Sequence, residues 1–121
     1  MKSSKRNAAL FLSDILEAIV TIEEYTQNMT FEEFMQDKKT RDAVSRNIEI
    51  VGEAARNLPI AVRTETPHIP WDKMIRSRHI LSHEYFGIDY EIIWRIATAH
   101  LPETKDSITI LLAKTQQQSY L

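Results

Sequence analysis

The chain has 121 residues, of which 43% are apolar and 26% are charged, and it contains two glycines, four prolines and no cysteine. This composition predicts one folded domain spanning residues 1–121, and it excludes an extensively disordered chain, disulfide bonds and thiolate metal sites. Because the net charge is −2, any contact with nucleic acid must come from a local basic patch, for which Lys73, Arg76 and Arg78 are the candidates.

The N-terminal segment is basic, but Asp14 and Glu17 interrupt the apolar segment that follows it. It therefore does not resemble a signal peptide. No apolar run approaches the roughly 18 residues of a membrane span. We predict a cytoplasmic protein that does not contact a membrane.

The first predicted element is a long helix from about Lys5 to Tyr25, with an apolar stripe at Ala8, Leu12, Ile15, Ile19 and Ile22. Thr30 and Glu33 have capping-box spacing and predict a short helix to about Met35. Asp37 is the predicted cap of a third helix that ends before Pro59. Within it, Gly52 predicts a close crossing with another helix, since glycine is otherwise unfavourable there.

Residues 59–70 predict a helical turn followed by a loop, because Pro67 and Pro70 oppose a regular element. Trp71 begins a helix that should reach His83 or Tyr85. Gly87 predicts a left-handed C-terminal cap, and Asp89 caps a last apolar segment in which Pro102 should cause a kink or a break. The predicted fold class is all-α, a bundle of four or five helices.

The segment from Arg78 to Tyr85 carries the candidate chemistry, with the spacing Arg-x4-His-x-Tyr. Arginine binds phosphate oxygens through a planar fork of donors, and histidine can transfer protons near neutral pH. His79 and His83 share one helix face, with Arg76 beside His79. Arg78 lies roughly 140° from His83 around the helix. Two chains related by a two-fold axis could bring both groups to one phosphate, so homodimerisation is part of the hypothesis.

Three interpretations of the histidine pair remain open on residue types alone. The His-x3-His spacing permits a metal site, but the helical zinc and di-iron motifs are absent. The histidines could instead stabilise a helix C-terminus structurally. The third interpretation is nucleolytic, with Arg78 and His83 acting on RNA.

An ordered set of motifs resembles the HepT-like branch of the HEPN superfamily: Arg46-Asn47-Ile48-Glu49-Ile50-Val51-Gly52-Glu53-Ala54, Ile69-Pro70-Trp71, Arg78-His79-x3-His83-x-Tyr85-Phe86-Gly87-Ile88-Asp89, Ile93-Trp94 and Leu101-Pro102. The likeness extends over almost the whole chain, from Phe11 onward. Arg-x4-His alone has little specificity, whereas the ordered set is highly specific.

The resemblance implies a homodimeric, metal-independent endoribonuclease that needs no cofactor. It further implies the toxin of a type VII toxin–antitoxin pair, neutralised by an MntA-type nucleotidyltransferase antitoxin. Arg78 and His83 would be the catalytic pair, and His79 would fill the polar position after the arginine. Tyr85 matches the tyrosine to which the antitoxin attaches AMP.

Other residues have weaker predicted roles. Arg76, Glu49 and Glu53 are candidates for supporting the cleft or binding substrate, although pairing on a helix surface is the simpler reading of each glutamate. Trp71 and Trp94 are predicted core or interface residues, and His68 and His100 are unassigned. The alternative function is a non-catalytic HEPN subunit that binds a nucleotidyltransferase or its substrate.

Overall fold

The computed structural model describes residues 2–81 and 87–118, and these residues are helices and their connections. The all-α prediction is confirmed. The elements, in chain order, are α1 (Lys2–Thr26), α2 (Phe31–Gln36), α3 (Lys38–Asn57), α4 (Ile60–Glu65), α5 (Trp71–Leu81), α6 (Tyr90–Arg95), a π-helical turn (Ile96–His100) and α7 (Leu101–Gln118).

Helix α1 is the centre of the bundle, lying between α3 and α7, while α5 packs on the other flank of α3. Its predicted apolar stripe is confirmed, because Leu12, Ile15, Ile19 and Ile22 are fully buried. These side chains belong to one hydrophobic cluster that reaches every long helix. Burial of such a stripe is what makes a long amphipathic helix stable.

The predicted caps of α2 and α3 are confirmed. The Thr30 hydroxyl accepts a hydrogen bond from the Glu33 N–H, and the Glu33 carboxylate accepts one from the Thr30 N–H. The Asp37 carboxylate accepts hydrogen bonds from the hydroxyl and the N–H of Thr40, and these bonds lower the pKa of Asp37. Each cap satisfies donors that the helix itself leaves without partners.

Gly52 sits where α3 crosses α5, as predicted. A Cβ at this position would lie 3.1 Å from the Cβ of Arg78 and 3.1 Å from the carbonyl oxygen of Met74. Any larger residue would therefore push α5 away from α3. The close approach places the first part of the Arg78 side chain directly against α3.

The start of α5 is anchored by Trp71, which is buried and donates a hydrogen bond of 2.9 Å from Nε1 to the Thr66 hydroxyl. Trp94 is half-buried and packs on Phe34, with ring centroids 5.0 Å apart. Both tryptophans thus act as packing residues within this chain, in agreement with the sequence-based prediction.

The last helical segment contains a π-helical turn just before Pro102. The Leu101 N–H donates to the Ile96 carbonyl, which is the i to i−5 bond of a π-helix. The predicted kink or break at Pro102 therefore takes the form of a widened turn. The Asp89 cap is confirmed, since its carboxylate accepts from the N–H groups of Glu91 and Ile92. Gly87 has the predicted left-handed φ, 82°, but the helix end that it would cap lies outside the described residues.

Within residues 2–81 and 87–118, no helix combines the length and the apolarity needed to cross a membrane.

Candidate active site

The cleavage groove, as we name it, is an open depression of about 660 Å³ along α1, α3 and α5. It contains four of the predicted site residues, which come from two helices. Its lining comprises Phe11, Asp14, Arg46, Glu49, Ile50, Glu53, Ala54, Asn57, Arg78 and His79.

Arg78 is held in this groove by an ion pair from its Nη1 to the Glu53 carboxylate. Its side chain is 25% exposed, because the stem lies against Gly52 while the guanidinium faces the groove. The buried Nε has no hydrogen-bond partner among the described residues. A guanidinium carries five N–H donors, so Glu53 orients the group and leaves donors for a phosphate.

Two further ion pairs involve the glutamates of the groove. Arg46 donates from Nη1 to Glu49 at 3.1 Å, and Arg56 lies 3.9 Å from Glu53. Two guanidinium groups and three carboxylates, including that of Asp14, line the groove itself. A phosphate entering it must therefore compete with carboxylates for the cations.

His79 is exposed and lines the same groove as Arg78. Its role as the polar position after the arginine stays a prediction. Glu49 and Glu53 both line the groove, and among the described ion pairs only that of Glu53 joins α3 to α5. Their supporting roles stay predictions.

Arg76 does not join these residues within one chain. It lines a different cavity on the other side of α5 and donates from Nε to the Asp72 carbonyl at 3.3 Å. Residues three apart on a helix differ by about 60° around its axis, and here that angle separates Arg76 from His79. Arg76 therefore lies near His79 on α5 but outside the groove.

His83, Tyr85 and the residue between them lie outside the described residues, so their predicted roles remain predictions. Within the described ranges, no group of three or more histidine, aspartate and glutamate side chains is placed to hold a metal ion. Asp14 and Asn57 also line the groove, although no motif in the sequence indicates this. Their positions there result from the packing of α1 on α3.

The interhelical ion pair leads to a prediction for Glu53. We expect Glu53→Ala to lower RNA cleavage about tenfold by letting Arg78 leave its position, and Glu53→Gln to lower it less because the acceptor oxygen remains. Since Glu53 is half exposed, the free energy of unfolding should change by less than about 1 kcal/mol.

Initial cleavage rates and urea unfolding of both variants would test this, with Glu32→Gln on α2 as a control remote from the groove. Equal rates for wild type and Glu53→Ala would show that Glu53 does not orient Arg78.

Comparison with known proteins identifies the family. The family described as "Ribonuclease HepT-like" matches residues 15–110. The chain is 48% identical to "Putative RNase MJ0127" of Methanocaldococcus jannaschii over 98 residues, which cover 81% of each chain. It is 45% identical to "Probable ribonuclease HepT" of Thermococcus cleftensis over 101 residues, covering 84% of this chain and 92% of the relative. No solved structure matches the chain. The family match and these identities show that the chain belongs to the HepT-like ribonuclease family.

Proposed function

We propose that this protein is a metal-independent endoribonuclease, the toxin of a type VII toxin–antitoxin pair, with Arg78 and His83 as its catalytic residues. The observation that carries the proposal is the guanidinium of Arg78, oriented by Glu53 in an open groove beside His79. The names of the relatives, which describe ribonucleases, support the same class of substrate.

The chemistry is an internal transesterification. The RNA 2′-oxygen forms a bond to phosphorus and loses its proton, while the bond from phosphorus to the 5′-oxygen breaks and that oxygen gains a proton. His83 transfers one of these protons, since the imidazole pKa ordinarily lies near 6.5. Arg78 stabilises the charge that develops on the phosphate oxygens, and His79 positions the phosphate or the guanidinium.

The proposed enzyme is a homodimer with two equivalent clefts. If the helix continued to His83, about 100° per residue would place Arg78 and His83 roughly 140° apart around its axis. A cleft that takes Arg78 from one chain and His83 from its partner would remove this geometric conflict. Such a partner would also add charges to a groove in which Glu53 already engages Arg78.

The decisive experiment is cleavage of RNA by the purified protein in EDTA. We expect undiminished cleavage, fragments ending in 2′,3′-cyclic phosphate, and no cleavage of the matching DNA, which lacks the nucleophilic 2′-hydroxyl. Cleavage that stops in EDTA and returns with added Mg²⁺ or Mn²⁺ would contradict the proposed chemistry. Mass spectrometry of the fragments identifies the ends.

The proposed regulator is an MntA-type nucleotidyltransferase that attaches AMP to the Tyr85 hydroxyl. The bond forms between the tyrosine oxygen and the α-phosphorus of ATP, with pyrophosphate as leaving group and the hydroxyl proton released. The product adds bulk and negative charge two residues from His83, where it would repel the RNA phosphate.

We expect mass spectrometry, after incubation with the antitoxin and ATP, to find AMP on Tyr85 and cleavage to be lost. Tyr85→Phe should remain active and resistant to the antitoxin, whereas Tyr25→Phe, which removes an exposed hydroxyl at the end of α1, should behave as wild type.

Modification of Tyr90 instead would refute the assignment. Its half-buried ring packs on Phe34 and lies 5.1 Å from the Arg41 guanidinium, which makes it a packing residue.

The second candidate function is a non-catalytic subunit that binds a nucleotidyltransferase or its substrate. The excess of carboxylates over guanidinium groups in the cleavage groove favours it, because such a balance weakens phosphate binding. Expression separates the two functions. A toxin should inhibit growth without its antitoxin and His83→Ala should relieve this, whereas a binding subunit should be harmless in both forms.

A further inference from the structure

A second cavity of about 630 Å³ lies on the other side of α5 from the cleavage groove. The loop before α5, the end of the π-helical turn and the first turns of α7 complete its walls. It contains His68 and His100, to which no role was assigned above, and it also contains Arg76. We call it the basic cavity.

Cations at its rim distinguish the basic cavity from the cleavage groove. Lys73 and Arg76 are exposed, and neither makes an ion pair with any described residue. Among the described residues, Arg76 makes its hydrogen bond through Nε alone, to the Asp72 carbonyl, which leaves its two terminal nitrogens for a ligand. Glu103 is the one carboxylate among the described residues that line the cavity. By contrast, the arginines of the cleavage groove are both engaged by glutamates.

The floor of the basic cavity is apolar. Ile69, Met74 and Leu101 are buried and present their surfaces to it. The imidazoles of His68 and His100 are exposed at its edge. Histidine rings bind nucleobases by stacking, aliphatic side chains contact the faces of the bases, and lysine and arginine bind phosphates. The volume falls within the roughly 300–1,000 Å³ that ligand sites occupy.

We propose that the basic cavity is a second RNA-binding site, which holds a nucleotide of single-stranded RNA outside the cleavage groove. Lys73 and Arg76 bind its phosphates, and its base lies on the floor between His68 and His100. The inference rests on the proposed function in one respect only, namely that RNA is the substrate. Such a site would allow RNA binding by a chain whose net charge is −2 and whose cleavage groove contains more carboxylates than guanidinium groups.

The test measures binding rather than cleavage. The probe is a fluorescent single-stranded RNA with 2′-O-methyl groups, which cannot be cut because the nucleophile is blocked. Its affinity for wild type, for Lys73→Ala/Arg76→Ala and for Lys39→Ala/Lys114→Ala is measured by anisotropy at several salt concentrations. The last variant is a matched control, since it removes the same charge from exposed positions that line neither cavity.

We expect Lys73→Ala/Arg76→Ala to bind about tenfold more weakly near physiological salt, and the slope of log affinity against log salt to fall by about 1.4, the value for two lost phosphate contacts on a single strand. The control variant should keep the wild-type slope. Melting temperatures of the three proteins should agree, because the substituted side chains are exposed.

Equal affinities and slopes for the two double variants would overturn the proposal. Two other results would also overturn the proposal. If Lys73→Ala/Arg76→Ala alone loses binding of free AMP while its RNA binding is unchanged, the cavity binds a mononucleotide. If this variant loses antitoxin binding while its RNA binding is unchanged, the cavity binds the antitoxin. Failure of the proposed nuclease is recognised separately, since unmodified RNA would then stay intact with wild-type protein.

Discussion

RNA cleavage should fall by about 10²–10⁴-fold in His83→Ala, the range that removal of a general acid or base produces. The loss should appear in kcat, because the proposed role of His83 is proton transfer in the chemical step rather than substrate binding. Arg78→Ala should lose about 10²–10³-fold, as expected when a donor to a developing oxyanion is removed. Arg78→Lys should recover little, because an ammonium cannot keep the fork of donors that Glu53 orients. Initial rates on a defined RNA measure all three.

Two controls separate chemistry from folding. Arg95→Ala removes an exposed arginine that lines neither cavity and should cleave as wild type does. Added imidazole should partly restore His83→Ala, which a purely structural histidine would not allow. Undiminished cleavage by His83→Ala would remove this residue from the mechanism.

Arg78→Ala and His83→Ala together also show whether each cleft takes its two catalytic residues from one chain or from both. If Arg78 and His83 meet across the two-fold axis, a heterodimer of Arg78→Ala and His83→Ala contains one intact cleft. An equal mixture, in which half of the dimers are heterodimers, should then regain about a quarter of the wild-type rate. A mixture that stays inactive after exchange of subunits would place both residues of each cleft in one chain.

Gly52→Val should destabilise the protein by about 1–3 kcal/mol, the usual cost of overpacking a tight contact. The added Cβ alone would lie 3.1 Å from both the Arg78 Cβ and the Met74 carbonyl oxygen, and valine adds two further carbon atoms. Relief requires α5 to move away from α3, which displaces Arg78 from Glu53. Cleavage should therefore fall as well, by up to about 10²-fold for a displacement near 1 Å.

Urea unfolding and initial rates measure the two effects of Gly52→Val. Gly52→Ala should be milder. Its Cβ makes tight contacts, but the higher helix propensity of alanine offsets part of their cost by roughly 0.5–1 kcal/mol. Ala61→Val, at an exposed position of α4, is the matched control and should leave cleavage unchanged. Wild-type stability and activity in Gly52→Val would mean that α5 does not rest on α3 at this point.

Local chemistry made much of the fold predictable. Thr30, Asp37 and Asp89 cap helices because their side-chain oxygens reach donors two or three residues away, and such signals lie within one turn of sequence. The close helix crossing at Gly52 was equally predictable, since glycine destabilises a helix unless a neighbouring helix needs the space. The π-helical turn was not, because Pro102 indicates a disturbance without specifying which hydrogen-bond pattern absorbs it.

The candidate site was predictable in its residue types and less so in its geometry. Glu53 could be nominated from α3 alone, but its ion pair with Arg78 joins residues 25 apart in sequence and exists only after α3 and α5 pack. The same packing divides α5 into two faces, so that Arg76 and Arg78 line different cavities. The helical periodicity of the sequence predicts the angles between side chains around a helix axis. It does not predict where a neighbouring helix packs and so separates two cavities.

The crossing at Gly52 has a consequence for how nucleases of this kind are recognised among related genes. Inactive copies are ordinarily sought by the loss of a chemically active side chain. Here a copy could retain the arginine, the histidine and the tyrosine and still be inactive, because a substitution at this glycine would displace the arginine from its ion pair with Glu53. Surveys of such genes should therefore inspect this glycine together with the motif before they count a copy as a working enzyme.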